Sequence, residues 1–229
     1  MATRETSESA RRTQADRRAT TRSALLEAAA RGLSRYGYAN LALERVATEA
    51  GYTRGALYHQ FANKEELALA VVEWVHETWD AEVGQLAADE ADPVDALMAI
   101  ARGHAVYCRR DVARVMMTLR IEFTGQDHPV GRALEEIVER LVADCVDRIA
   151  AGRKSGAIPP GPPLRETALA YLGALSGLVI QLAGQAPFDV ELADRAVRGV
   201  LGLPPAPLTT ASQGAAAATP PTHNPLREG

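Results

Sequence analysis

The sequence predicts an all-α fold: a small N-terminal three-helix domain containing a helix-turn-helix, then a larger helical body, about nine helices in all over 229 residues. Three observations predict it. Apolar residues recur three and four apart through most of the chain, and no run shows the alternation of a strand, a repeat or a βαβ unit. Helix-opening signals recur at Thr53, Asn63 and Asp92-Pro93. Between them lie short segments rich in glycine, proline and aspartate.

Residues 1–18 are polar and carry Arg11, Arg12, Arg17 and Arg18 with no apolar period, which predicts a flexible basic arm. From about Thr20 the spacing Leu26, Ala29, Leu33, Tyr36 gives a first helix closed by Gly37, and a second runs from Leu43 to Ala50. After a short third helix, Asn63 opens a fourth that carries Leu67, Val71, Val75 and Trp79 and continues to about Ala88. Asp92-Pro93 opens a helix through Tyr107, Asp111 is read as the cap of one ending near Phe123, and Pro129 opens one to about Ala151. Residues 152–163 form a Gly/Pro loop, and helices at about 164–184 and 189–201 follow. Residues 204–229, dominated by Pro, Ala and Thr, lack a burying pattern and are expected to be a disordered tail. The domains are therefore the arm at 1–18, a helix-turn-helix domain at 19–63, a helical body at 64–203 and the tail.

Residues 51–67 are the most informative stretch. Gly51 can take the left-handed conformation that ends one helix and lets the next leave steeply. Thr53 caps the new helix, Leu57 and Phe61 point inward, and Arg54, Tyr58 and His59 point outward. Gly55 and Ala56 let the backbone approach a groove wall. The Asn63-Lys64-Glu65-Glu66 run forms a capping box that holds Lys64 at a helix start. The chemistry is that of a helix laid in the major groove.

Ala50-Gly51-Tyr52-Thr53-Arg54-Gly55-Ala56-Leu57-Tyr58-His59-Gln60-Phe61, with Asn63-Lys64-Glu65-Glu66-Leu67, resembles the signature of TetR/AcrR-type transcriptional regulators. Ala28-Ala29, Gly37-Tyr38 and Leu43-Glu44-Arg45-Val46-Ala47 fall at that family's spacings, so the resemblance covers about residues 20–75. Three departures stand out. Leu41-Ala42 occupy the place of a Thr or Ser that opens the second helix, leaving Asn40 as the substitute cap. Gly32-Leu33 replace a Leu-Phe pair, and a mid-helix glycine costs roughly 1 kcal/mol against alanine, which predicts a looser first helix. Gln60 stands where the family often has His.

The resemblance implies an effector site among the helices after residue 64, and candidate lining residues are Trp79, His104, Tyr107, Met116, Met117, Arg120, Phe123 and Tyr171. If Arg120 faces inward it favours an anionic ligand. At the DNA, Thr53 and Lys64 would anchor phosphates and Arg54 would meet a base edge or phosphate. Tyr58, His59 and Gln60 would divide between backbone and thymine contacts.

Charge is polarised in the sense this needs: residues 1–65 hold 11 Lys/Arg against 7 Asp/Glu, and the rest hold 14 against 22. Residues 167–188 contain no charge, yet Pro187, Gln181 and Gln185 and the lack of a flanking basic cluster argue against a membrane span. Instead Ala170, Gly173, Ala174, Gly177 and Gln181 present a small-residue face suited to a dimer interface. No apolar leader follows the first arginines, and Cys108 and Cys145 are too few for a disulfide framework, so a cytoplasmic protein is expected.

No catalytic machinery is visible. His76-Glu77-Thr78-Trp79-Asp80 breaks the zinc-hydrolase pattern, Ser176 lacks the glycines of a nucleophile elbow, and Gly152-Arg153-Lys154-Ser155-Gly156 lacks the spacing of a phosphate loop. His104 and Cys108, four apart, read as a pocket or core pair before a metal site. No cofactor and no metal is expected. The partners implied are a near-palindromic double-stranded operator, a second copy of the chain and a small-molecule effector, with no membrane. The function this resemblance implies is that of a sequence-specific DNA-binding transcriptional regulator, a homodimeric repressor released from its operator by its effector, and the alternative is a helical ligand- or metal-sensing dimer with a non-functional DNA-binding head.

Overall fold

The computed structural model describes residues 2–182, 186 and 188–206, with side chains at 14–178, 186 and 188–206. Nine helices fill it: α1 (Ala2–Tyr36), α2 (Leu43–Glu49), α3 (Arg54–Gln60), α4 (residues 64–88), α5 (Pro93–Tyr107), α6 (Val115–Phe123), α7 (Pro129–Ser155), α8 (Leu164–Leu182) and α9 (Phe188–Leu201). Among the described residues there is no strand. The tail expected at 204–229 lies largely outside them, as does the side chain of Gln181.

α1 begins at Ala2 rather than near Thr20. The stretch expected to be an arm therefore has helical backbone, because helix formers such as Arg, Gln and Ala need no buried face and leave no apolar period. The helix closes on Gly37, whose φ of 73° is left-handed and whose N–H donates to the Leu33 carbonyl at 3.0 Å.

The glycine and leucine departures explain each other. A Cβ on Gly32 would lie 2.6 Å from Leu41 Cδ1, and Leu41 is buried against α1. Gly32 thus makes room for Leu41, and the first helix is packed rather than loosened there. Asn40 does not cap α2: its Nδ2 donates to the Tyr36 carbonyl, and Ala42 stands at the N-cap with no side-chain bond. Asp111 does not cap a helix either. It opens a 3-10 turn, Asp111–Arg114, and accepts from Arg35 of α1 instead.

α4 is continuous but not uniform. Lys64–Trp79 is α-helical, Asp80–Gly84 is a π segment, and Gln85–Ala88 completes it. Its N-terminus is closed by Asn63, which accepts from the Glu66 N–H at 2.8 Å, while Glu66 reaches back to the Ala62 N–H. Asp92 caps α5 through Val94 and Asp95, and His128 Nδ1 accepts from Val130 N to cap α7.

Two cores result. The first joins α1, α2 and α3 to the front of α4 and to α6 and α7, through Leu33, Leu57, Phe61, Leu67, Leu119 and Ile137. The second packs the end of α4 with α5, the rear of α7, α8 and α9, around Val83, Leu97, Ile149, Tyr171 and Val197. α4 is common to both, so it joins the N-terminal unit to the body through shared apolar burial.

Candidate DNA-binding face and effector cavity

α3 leaves Gly51, φ 78°, at a turn that gives it a new direction. Thr53 Oγ1 accepts from the Ala56 N–H at 3.2 Å and fixes the first turn. Leu57 and Phe61 are buried, which fixes the roll of the helix and turns Arg54, Gly55, Tyr58 and His59 to solvent, with Ala56 and Gln60 half-buried. Arg54 is held by Glu44 of α2 at 2.8 Å and lies over the Tyr58 ring. Tyr58, the large aromatic of this face, is 41% exposed.

Lys64 is tied to the α1–α2 loop. Its Nζ donates to the Ala39 carbonyl at 3.0 Å and stands 4.6 Å from the Tyr38 ring centre. The same loop is gripped from the body by Glu122 of α6, whose carboxylate accepts from the Tyr38 N–H at 2.6 Å and the Ala39 N–H at 2.7 Å. No local pattern marks Glu122, because its partners lie more than eighty residues away.

A cavity of about 410 Å³ opens in the body between α4, α5, α6, α7 and α8. Of the eight residues expected to line it, Trp79, His104, Tyr107, Met116, Met117 and Arg120 do. Phe123 and Tyr171 do not. Phe123 turns to the first core, edge-on to Tyr38 and stacked on His128 at 4.4 Å, and Tyr171 is fully buried with its hydroxyl donating to the Leu97 carbonyl at 2.6 Å. Residue type on a helical face marks them as apolar and inward but not which side of the helix they occupy. Leu169, Leu172, Gly173 and Ser176 of α8 line the cavity and escape a reading of the sequence, since the small residues of that helix point to an interface alone.

Inside the cavity the polar groups are largely satisfied. The Trp79 indole N–H donates to His104 Nδ1 at 3.0 Å, which leaves the imidazole proton on Nε2, 3.5 Å from Cys108 Sγ. Burial lowers the His104 pKa to about 4 and raises the Cys108 thiol to about 12, so both are neutral near pH 7. The Tyr107 hydroxyl donates to the Val75 carbonyl at 3.1 Å and lies 2.9 Å from Thr78 Oγ1. Among the described residues no group of three His, Cys, Asp or Glu is placed to hold a metal ion, so His104 and Cys108 gain no third ligand.

On α8, Ala170, Gly173 and Gly177 are exposed and Ala174 half-buried. A Cβ added to Gly173 or Gly177 would meet nothing within 4 Å, and Leu169 beside them is 43% exposed. Among the described residues, no helix of the chain is long and apolar enough to cross a membrane.

Residues 25–71 match the family model described as bacterial regulatory proteins, tetR family. The chain is 40% identical over 79 residues to the HTH-type transcriptional regulator TtgR of Pseudomonas putida, a match covering 34% of this chain and 37% of TtgR. It thus spans little more than a third of that relative. In fold it is similar to a tetR-family regulator from Agrobacterium tumefaciens (TM-score 0.69, 16% identity, 81% of this chain and 97% of that one). It is similar also to AibR in complex with isovaleryl coenzyme A and operator DNA (TM-score 0.64, 21% identity, 79% and 98%).

Proposed function

We propose that this chain, which belongs through its residues 25–71 to the tetR family of bacterial regulatory proteins, is a homodimeric, sequence-specific transcriptional repressor released from a near-palindromic operator by a small molecule. The observation that carries the reading is the disposition of α3. Its buried Leu57 and Phe61 and its Thr53 cap hold Arg54, Gly55, Tyr58 and His59 outward as one face, as a helix entering the major groove requires. Phosphate anchoring is assigned to Thr53 and Lys64, and Gln60 and Ala56 flank the face.

Two copies would pair through α8, where Ala170, Gly173, Ala174 and Gly177 offer close approach to a second helix. The effector would occupy the cavity whose walls include α4 and α6. It lowers operator affinity only insofar as it binds better to the protomer arrangement in which the two heads no longer match successive grooves. The reading includes no catalytic step, and puts the protein with DNA in the cytoplasm.

Selection from a pool of random-sequence duplexes at near-physiological salt tests it. An enriched inverted repeat is the expected result. A folded dimer that enriches no sequence overturns the assignment and leaves the alternative, a helical sensor with a non-functional head.

A further inference from the structure

The cavity's charge pattern is one-sided. Among the described residues Arg120 is the only one lining the cavity with a permanent charge, and no Asp or Glu lines it. Among the described residues the Arg120 side chain makes no ion pair and no hydrogen bond, unlike Arg109 and Arg110 nearby, which are clasped by Asp189 and Glu82. Arg120 is exposed, which puts it at the mouth, while Trp79, Met116, Leu134, Ile137 and Leu172 make the walls apolar. Of the other polar lining groups, His104 is held by Trp79 and Tyr107 by Val75 and Thr78, which leaves His76 and Ser176, and neither is a carboxylate that could pair with a cation.

We propose that the ligand of this cavity is an amphiphilic monoanion, an aliphatic or aryl carboxylate, with its apolar body among the walls and its carboxylate on the Arg120 guanidinium. This rests on the reading of the cavity as the effector site. A guanidinium offers a planar pair of N–H donors that matches a carboxylate, and charge-assisted bonds of this kind are about twice as strong as neutral ones. An amine would meet Arg120 with like charge and find no carboxylate to replace its water. A neutral alcohol would fill the walls but gain nothing at the mouth.

Isothermal titration of the full chain with octanoate, octan-1-ol and octan-1-amine, each below its aggregation limit, separates the two levels of the argument. The expected result is that octanoate binds at least about tenfold more tightly than the other two. In Arg120→Gln that preference disappears while octan-1-ol affinity changes less than about twofold, a pattern that a merely structural role of Arg120 does not produce. If octan-1-ol or octan-1-amine binds the wild type as tightly as octanoate, or Arg120→Gln keeps the preference, the anionic assignment is overturned while the cavity stands. If none of the three binds, the cavity is not a site for such molecules, and the effector-site reading falls with the proposal.

Discussion

Gly37 and Glu122 form a lock whose strength can be measured as a coupling. Gly37→Ala places an L-residue at φ 73°, a conformation that costs roughly 1–2 kcal/mol. It also sets a Cβ 2.7 Å from Glu122 Oε2. The carboxylate can retreat only by weakening its bonds to the Tyr38 and Ala39 N–H groups, each worth about 1 kcal/mol at this half-exposed site. The single substitution should therefore cost about 3 kcal/mol, and Glu122→Ala about 2 kcal/mol. With the carboxylate gone the clash is gone too, so Gly37→Ala in the Glu122→Ala background should cost only its backbone strain, about 1.5 kcal/mol. The double variant then falls about 1.5 kcal/mol short of additivity. Urea unfolding followed by far-UV dichroism measures this, at one protomer concentration so that association does not enter the comparison. Additive losses would refute the lock and reduce Gly37 to a helix terminator.

Arg54→Ala combined with Tyr58→Ala should abolish operator binding while the oligomer sedimenting in wild type persists; retention of wild-type affinity defeats the α3 assignment. A Cβ at Gly177 meets nothing within 4 Å, so Gly177→Leu should leave the helical content intact and yet shift sedimentation toward the monomer, whereas an unchanged dimer removes α8 from the interface. Burial holds the His104 pKa at about 4 against an ordinary 6.5, so the unfolded chain binds the extra proton between those values and stability must fall as pH drops through that window, by at most about 3 kcal/mol. His104→Gln should flatten that slope, and a slope unchanged by the substitution would assign the acid sensitivity to other groups.

Local chemistry is legible in this chain and long-range pairing is not. Gly51, the Thr53 cap and the Leu57/Phe61 spacing specify α3 within a dozen residues, so their order along the chain is enough to recover its geometry. Asp92-Pro93 and Pro129 open their helices for the same reason. Asn40 and Asp111 mislead because a capping side chain has competing partners, here the Tyr36 carbonyl four residues back and Arg35, which only the fold brings near Asp111. In the cavity, type and period identify Trp79, His104 and Arg120, but Phe123 and Tyr171 satisfy the same pattern by facing a core. The compensation between Gly32 and Leu41 needs the structure, because each looks like a defect until the other is seen filling it.

The π segment at Asp80–Gly84 gives α4 a turn at which the number of residues can change without re-aiming the rest of the helix. A π turn accommodates one residue more than an α turn, and Gly84 occupies the tight position where a Cβ would run into the Asp80 carboxylate. Ahead of it Val75 and Trp79 line the cavity; Val83 within it and Ala87 beyond it are sealed in the second core. Deleting one residue here would let the helix relax to regular α geometry with everything downstream nearly in its original phase, because the π turn had absorbed that residue, whereas the same deletion in the regular turns of Lys64–Trp79 would swing the rest by about 100° around the axis. Only the second deletion puts the cavity face and the core face out of register. Such a helix is held to its length through Lys64–Trp79 and can change it by one residue at the π turn, so insertions and deletions in α4 should fall at residues 80–84 or in the loop at residues 89–92.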